Sequence, residues 1–108
     1  ITPAVTKAIA YIDENYMKQP GLESISKAAG VSSQHLCRLF RQTLNCRPME
    51  YITKRKIQAA KMLLAETQKT VEQIAKETGF CDSSYFCKIF KRFESITPSQ
   101  FRNAEQVL

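Results

Sequence analysis

The sequence predicts an all-α fold of seven helices, arranged as two units of short helix, turn and second helix joined by a long helix. Three observations lead there. Apolar residues recur at three- and four-residue spacing along the whole chain, and no stretch alternates convincingly as a strand does. Cap and stop residues punctuate that pattern at regular places. The second half of the chain also repeats the first.

Taken in order, Thr2-Pro3 is an N-cap followed by proline at the first helical position. Val5, Ile9, Ile12 and Tyr16 then form the apolar face of a first helix, which Gln19-Pro20-Gly21 breaks. A short helix runs from about Leu22 to Ala29 and stops at Gly30. Ser32 or Ser33 caps a third helix with the stripe Leu36, Leu39, Phe40 and Leu44. Pro48 opens a longer helix through about Glu66, offering Tyr51, Ile52, Ala59, Ala60, Leu63 and Leu64 to a core. Thr70 caps a short helix, Val71 to Thr78, ended by Gly79. Asp82 or Ser83 starts the next, with Phe86, Ile89, Phe90 and Phe93 directed inward. Thr97-Pro98 repeats the cap-plus-proline start for a last helix carrying Phe101.

The internal repeat organises these elements. Ile25, Lys27 and Gly30 recur 49 positions later as Ile74, Lys76 and Gly79. Ser33, Cys37, Phe40 and Pro48 recur 50 positions later as Ser83, Cys87, Phe90 and Pro98. Leu36 matches Phe86, Arg38 matches Lys88, Leu39 matches Ile89, Arg41 matches Lys91 and Tyr51 matches Phe101. The change of offset puts one extra residue in the second turn, between Gly79 and Ser83. Each copy reads as a helix-turn-helix. Two steeply crossing helices need a small side chain where their backbones approach and a turn residue that tolerates positive φ. Ser26 with Gly30, and Ala75 with Gly79, supply both. One domain over 1–108 is expected, with a first unit at 1–50, a connecting helix at 48–66 and a second unit at 67–108.

Composition excludes several classes. At 108 residues the chain is too short for a large enzyme, and 44% hydrophobic with 24% charged residues is ordinary for a soluble domain. Its apolar runs are pairs and triplets, so no segment reaches the roughly 20 apolar residues of a membrane span, and no membrane partner is expected. No charged segment followed by an apolar stretch opens the chain, so no secretory signal is expected. Cys37, Cys46, Cys81 and Cys87 contain no C-x-x-C pair, and His35 is the only histidine. Neither a metal nor a cofactor is expected, and free thiols in a reducing cytoplasm are the default.

The net charge of +6 is informative for its position. Residues 1–37 balance, and so do residues 62–108. The excess lies wholly in 38–61, where Arg38, Arg41, Arg47, Lys54, Arg55, Lys56 and Lys61 face Glu50 alone. A one-signed block of this kind points to a polyanionic partner. At 100° per residue, Gln34, Arg38, Arg41 and Asn45 lie together opposite the apolar stripe of the third helix, and Ser84, Lys88, Lys91 and Ser95 do so on the sixth. Arginine bonds guanine bidentately and glutamine bonds adenine, so Gln34 and Arg38 have the chemistry of base readers on double-stranded DNA. Serine and lysine at Ser84 and Lys88 discriminate less. Arg41, Lys91, Lys54, Arg55 and Lys56 are candidate phosphate contacts, as are the helix N-termini near Thr70 and Ser83. The long helix, at a 1.5 Å rise, comes to roughly 28 Å, which with its flanking turns suits two helices reading successive major-groove faces about 34 Å apart. The first copy, with its fork-shaped and amide groups, is expected to supply most of the sequence discrimination.

These residues resemble the AraC/XylS transcriptional regulators from about Val5 to Arg102. Lys56-Ile57, Ala60, Leu63-Leu64, Ile74-Ala75, Gly79-Phe80, Tyr85-Phe86, Phe90-Lys91 and Pro98 carry the likeness. The resemblance implies a homeodomain-like tandem of helix-turn-helix units, in which the second helix of each enters the major groove. By position it implies Gln34, Cys37 and Arg38, then Ser83, Ser84, Cys87 and Lys88, as base readers. It also implies no enzymatic activity, RNA polymerase as a partner, and a separate sensing, dimerising or receiver domain ahead of this one. Cys37 and Cys87 depart from the longer polar side chains common there, and packing is the expected role for such small thiols. Ser26 replaces the usual alanine. Outside the resemblance, a basic helical module that binds an acidic protein is the alternative, and a thiol enzyme lacks a base and an orienting acid.

Overall fold

Every helix but the second, which starts at Gly21, begins where a side chain accepts from a backbone amide of its first turn. The structure, a computed structural model, describes residues 2–107, and its described residues form seven α-helices with no strand. In α1 (Pro3–Asn15) the Thr2 hydroxyl accepts from the Val5 amide at 3.3 Å. A 3₁₀ turn, Tyr16–Lys18, follows and ends at Gln19 with φ 52°. Then come α2 (Leu22–Ala29) and α3 (Ser33–Leu44), the latter capped by Ser32, whose hydroxyl accepts from the His35 amide at 3.2 Å. The long helix is α4 (Pro48–Glu66), where the Glu50 carboxylate accepts from the Arg47 amide at 3.0 Å. Thr70 and Gln73 close a reciprocal capping box on α5 (Val71–Glu77). Asp82 caps α6 (Ser83–Glu94), accepting from the Tyr85 amide at 2.7 Å. Thr97 and Gln100 exchange the same pair of bonds at the start of α7 (Pro98–Val107).

The repeat seen in sequence extends to the hydrogen bonds. Gly30 at φ 75° and Gly79 at φ 88° both end the first helix of a unit in the left-handed region. In the first copy the Gly30 amide bonds the Lys27 carbonyl at 3.1 Å and Val31 bonds Ser26 at 3.2 Å. In the second, Gly79 bonds Lys76 at 3.2 Å and Phe80 bonds Ala75 at 2.9 Å. This is the same Schellman closure twice, with the following apolar residue folded back on the core. Asn45 at φ 56° and Ser95 at φ 70° end α3 and α6 alike.

Two compact units result, Ile1–Arg55 and Lys56–Leu108, so the connecting helix is shared between them. The first unit buries Val5, Ala8 and Ile12 of α1, Ile25 and Ala29 of α2, Leu36 and Phe40 of α3, and Ile52 of α4. The second buries Ile57, Ala60 and Leu64 of α4, Ile74 and Ala75 of α5, Phe80, and Phe86, Ile89 and Phe90 of α6. In each, the helix after the turn pair sends an aromatic ring edge-on to the inward phenylalanine. Phe40 and Tyr51 stand 6.0 Å apart at 80°, and Phe90 and Phe101 stand 5.7 Å apart at 72°. Arg102 of α7 ties off the second unit, donating from Nε to the Leu64 carbonyl at 3.1 Å and from Nη2 to the Lys69 carbonyl at 2.6 Å. These satisfy backbone acceptors at and beyond the end of α4.

Three expectations need correction. Tyr16 is not on α1 but in the 3₁₀ turn, half-buried against the first core. Phe93 is 38% exposed rather than inward. It stands in the last turn of α6, and Thr43, in the equivalent turn of α3, is exposed as well. Lys56, read as an outer-face base, is buried. It lies four residues after Ile52 and four before Ala60, on the stripe that faces inward.

Candidate nucleic-acid interface

The outward faces of α3 and α6 follow from which residues their cores consume. With Leu36 and Phe40 buried, α3 exposes Gln34, His35, Arg38, Arg41, Gln42 and Asn45. With Phe86, Ile89 and Phe90 buried, α6 exposes Ser84, Tyr85, Lys88, Lys91, Arg92 and Ser95. All eight side chains that the sequence grouped on these two faces are exposed there. Four more, His35, Gln42, Tyr85 and Arg92, were missed. The signal was present: Gln42 and Arg92 stand one turn beyond Arg38 and Lys88, about 40° around the helix. Both faces lack acids. α3 contains none, and the only acid of α6, Glu94, is half-buried and pairs with Lys61 at 3.0 Å.

The half-buried residues at the edges of these faces are Ser33 and Cys37 on α3, and Ser83 and Cys87 on α6. Cys87 packs against the second core, and burial, helped by Glu72, raises its thiol above the ordinary range. Burial likewise raises Cys46, which is 8% exposed between α3 and α4. Cys81 is exposed in the second turn, and all four thiols are free. Ser26, at the helix crossing of the first unit, is buried with its hydroxyl satisfied. It donates to the Glu23 carbonyl at 2.9 Å and lies 3.1 Å from the Ser33 hydroxyl. Ala75 holds the corresponding place in the second unit. Serine therefore costs little where alanine is usual, because both of its polar needs are met locally.

The phosphate candidates divide. Arg41, Lys54 and Lys91 are exposed. Thr70 is exposed at the α5 N-terminus, its hydroxyl accepting from Gln73 at 3.1 Å. Arg55 is half-exposed and already paired: its Nε donates to Asp13 at 2.9 Å and its guanidinium lies 4.9 Å from the centre of the Tyr16 ring. Lys56 is removed altogether. Its ammonium donates to the Gly79 carbonyl at 2.9 Å and sits 5.2 Å from the centre of the Phe80 ring, and burial lowers its pKa. A buried, hydrogen-bonded ammonium cannot neutralise a phosphate.

A surface cleft lies where each short helix meets the start of the next. The first, about 520 Å³, is bordered by Glu23, Lys27 and Ser33; the second, about 310 Å³, by the matching Glu72, Lys76 and Ser83. Among the described residues no cluster of His, Cys, Asp and Glu is gathered to hold a metal ion, and no helix is long and apolar enough to cross a membrane.

A family model described as a helix-turn-helix domain matches residues 25–104. The lactose operon transcription activator of Staphylococcus xylosus is 30% identical over 99 residues, covering 92% of this chain and 36% of its own length. A transcriptional regulator from Chromobacterium violaceum, described as containing an AraC-type DNA-binding domain, superposes with a TM-score of 0.91 at 29% identity, covering 95% of this chain and 92% of that one. The DNA-binding domain of AdpA, solved in complex with a target DNA, shares the fold with a TM-score of 0.90 at 21% identity, covering 98% and 96%. This chain spans about a third of the length of its Staphylococcus relative. The matched region contains both glycine turns and both outward faces, and the chain belongs to the AraC-type family of helix-turn-helix DNA-binding domains.

Proposed function

We propose that this chain reads duplex DNA sequence for a bacterial transcriptional regulator, with α3 and α6 each entering the major groove. The observation that carries the reading is the pair of repeated, acid-free, outward helix faces. Only the major groove presents a distinct donor and acceptor pattern for each base pair, and it is wide enough for an α-helix. Gln34 and Arg38, in the first two turns of α3, carry the amide and guanidinium that bond two atoms of one base at once. Cys37 lies at their edge. On α6 the corresponding set is Ser83, Ser84, Cys87 and Lys88. Arg41, Lys54, Lys91 and Thr70 fit phosphate, where position rather than sequence is fixed. Such a domain acts in the cytoplasm, needs no cofactor, and works with RNA polymerase and with an upstream sensing, dimerising or receiver domain. The short span of the chain within its relative leaves room for one.

A salt titration tests the polyanion component. Each neutralised phosphate contributes about −0.9 to the log–log slope of affinity against salt, so several contacts give a steep dependence. Affinity for duplex that is flat between low and physiological salt favours a module that binds an acidic protein instead.

A further inference from the structure

We propose that Lys56, a residue of the connecting helix, is a positioning residue that holds the second helix-turn-helix turn and so aims α6 at its bases. The inference rests on α6 being a base-reading helix and concerns a residue that touches no DNA. Its ammonium donates to the carbonyl of Gly79 at 2.9 Å, with the Phe80 ring 5.2 Å from Nζ to centroid. Gly79 begins the segment that sets the direction of α6, and Asp82, the cap of α6, is three residues on.

The amides of Gly79 and Phe80 are used in closing α5, to Lys76 and Ala75, and among the described residues no turn or loop amide bonds to the Gly79 carbonyl. Gly79 is buried, so that carbonyl has no ready access to water, and an unpartnered buried acceptor is costly. Lys56 supplies the donor. The first turn needs none, because Gly30 is exposed. The second turn also has one residue more than the first, Cys81 between Phe80 and Asp82, and a longer connection has more conformations to restrict. The clamp therefore stands at the turn that is both buried and longer. Packing alone does not call for an ammonium. A methionine of similar length fills the space without a buried charge. It leaves the Gly79 carbonyl unsatisfied.

The test compares Lys56→Met and Lys56→Arg with the wild-type chain. In the free protein, amide exchange at Gly79, Phe80 and Tyr85 is expected to speed up in the methionine variant and to stay near wild type in the arginine variant, which keeps a donor. On a duplex selected from a random pool, the methionine variant is expected to lose about tenfold in affinity, with an unchanged salt slope. Base-by-base substitution is expected to show weaker discrimination under α6 and the same discrimination under α3. A slope reduced by about 0.9 makes Lys56 a phosphate contact and overturns the proposal. Unchanged amide exchange overturns it, and so does an equal loss at both half-sites. Should the methionine variant not fold, the wild-type chain still answers through nitrogen NMR of Lys56. A slowly exchanging ammonium is expected, and a fast-exchanging one contradicts the clamp. If the wild type selects no duplex while both readouts on the free protein hold, the DNA reading fails and the clamp stands as a turn lock.

Discussion

At the residue scale, Arg38 and Lys54 test the proposed division between specificity and anchoring. Arg38→Ala is expected to cost about 1–3 kcal/mol on the preferred duplex and much less on random duplex, because a bidentate base contact is lost. Equal losses on both, measured by anisotropy, remove Arg38 from the base readers. Lys54→Ala is expected to weaken both alike and to reduce the salt slope by about one. The thiols make a second test. Exposed Cys81 is expected to react first with a maleimide, and buried Cys46, with its thiol raised by burial, last. A different order, read by mass spectrometry, contradicts the burial pattern. Lys56 adds a pH dependence. Burial lowers its folded pKa below the ordinary 10.5, partly opposed by Cys81, so on raising the pH the folded chain releases this proton before the unfolded one. The unfolded state then holds more protons, and stability rises with pH in the window ending near 10.5. Wild type is therefore expected to gain on Lys56→Met in urea unfolding between pH 7 and that limit, and a constant difference contradicts it.

At the element scale, the helices were largely legible because their ends are written in side chains that bond their own backbone. Pro48 and Glu66 bound α4 as the sequence implied, and Thr70 and Thr97 cap where hydroxyl and amide spacing placed them. Between paired alternatives, Ser32 rather than Ser33 and Asp82 rather than Ser83 hold the caps. Sequence could not choose there, since adjacent capping residues are chemically alike and the turn path decides. Asp82→Ala is expected to cost about 1 kcal/mol by thermal or urea unfolding. Gly30→Ala is expected to cost about 1–2 kcal/mol from positive φ alone, because an added Cβ at Gly30 meets nothing within 4 Å. A larger loss means a clash that the geometry does not contain. Less legible were positions where a charged side chain sits on an inward stripe. Lys56 was grouped with its sequence neighbours Lys54 and Arg55, whereas its partner, the Gly79 carbonyl, is 23 residues away. Arg55 was hidden in the same way, by Asp13 some 42 residues before it. Long-range partners leave no local pattern.

At the scale of the whole chain, summed charge misleads and placed charge does not. Residues 62–108 balance overall, yet the outward face of α6 carries Lys88, Lys91 and Arg92 with no acid beside them, while Glu77 and Glu94 pair with Lys69 and Lys61. Burial of Lys56 and pairing of Arg55 with Asp13 reduce the unpaired charge of the 38–61 block as well. The unequal roles expected of the two units thus rest on side-chain type, with the forked and amide groups of α3 against the short and point-charge groups at Ser84 and Lys88. The repeat, the two glycine turns and the outward faces were all readable in sequence, since each depends on local spacing. Which bases face outward freely was not, since that depends on distant partners. Sequence reading of duplex DNA by both α3 and α6 is tested most directly by selection of this chain against a pool of random duplexes, with sequencing of the bound fraction. An enriched motif with two separated blocks is expected, the block lost on Arg38→Ala being the sharper and the one lost on Lys88→Ala the looser. A bound fraction with no enriched motif, or a motif that survives both substitutions intact, contradicts it.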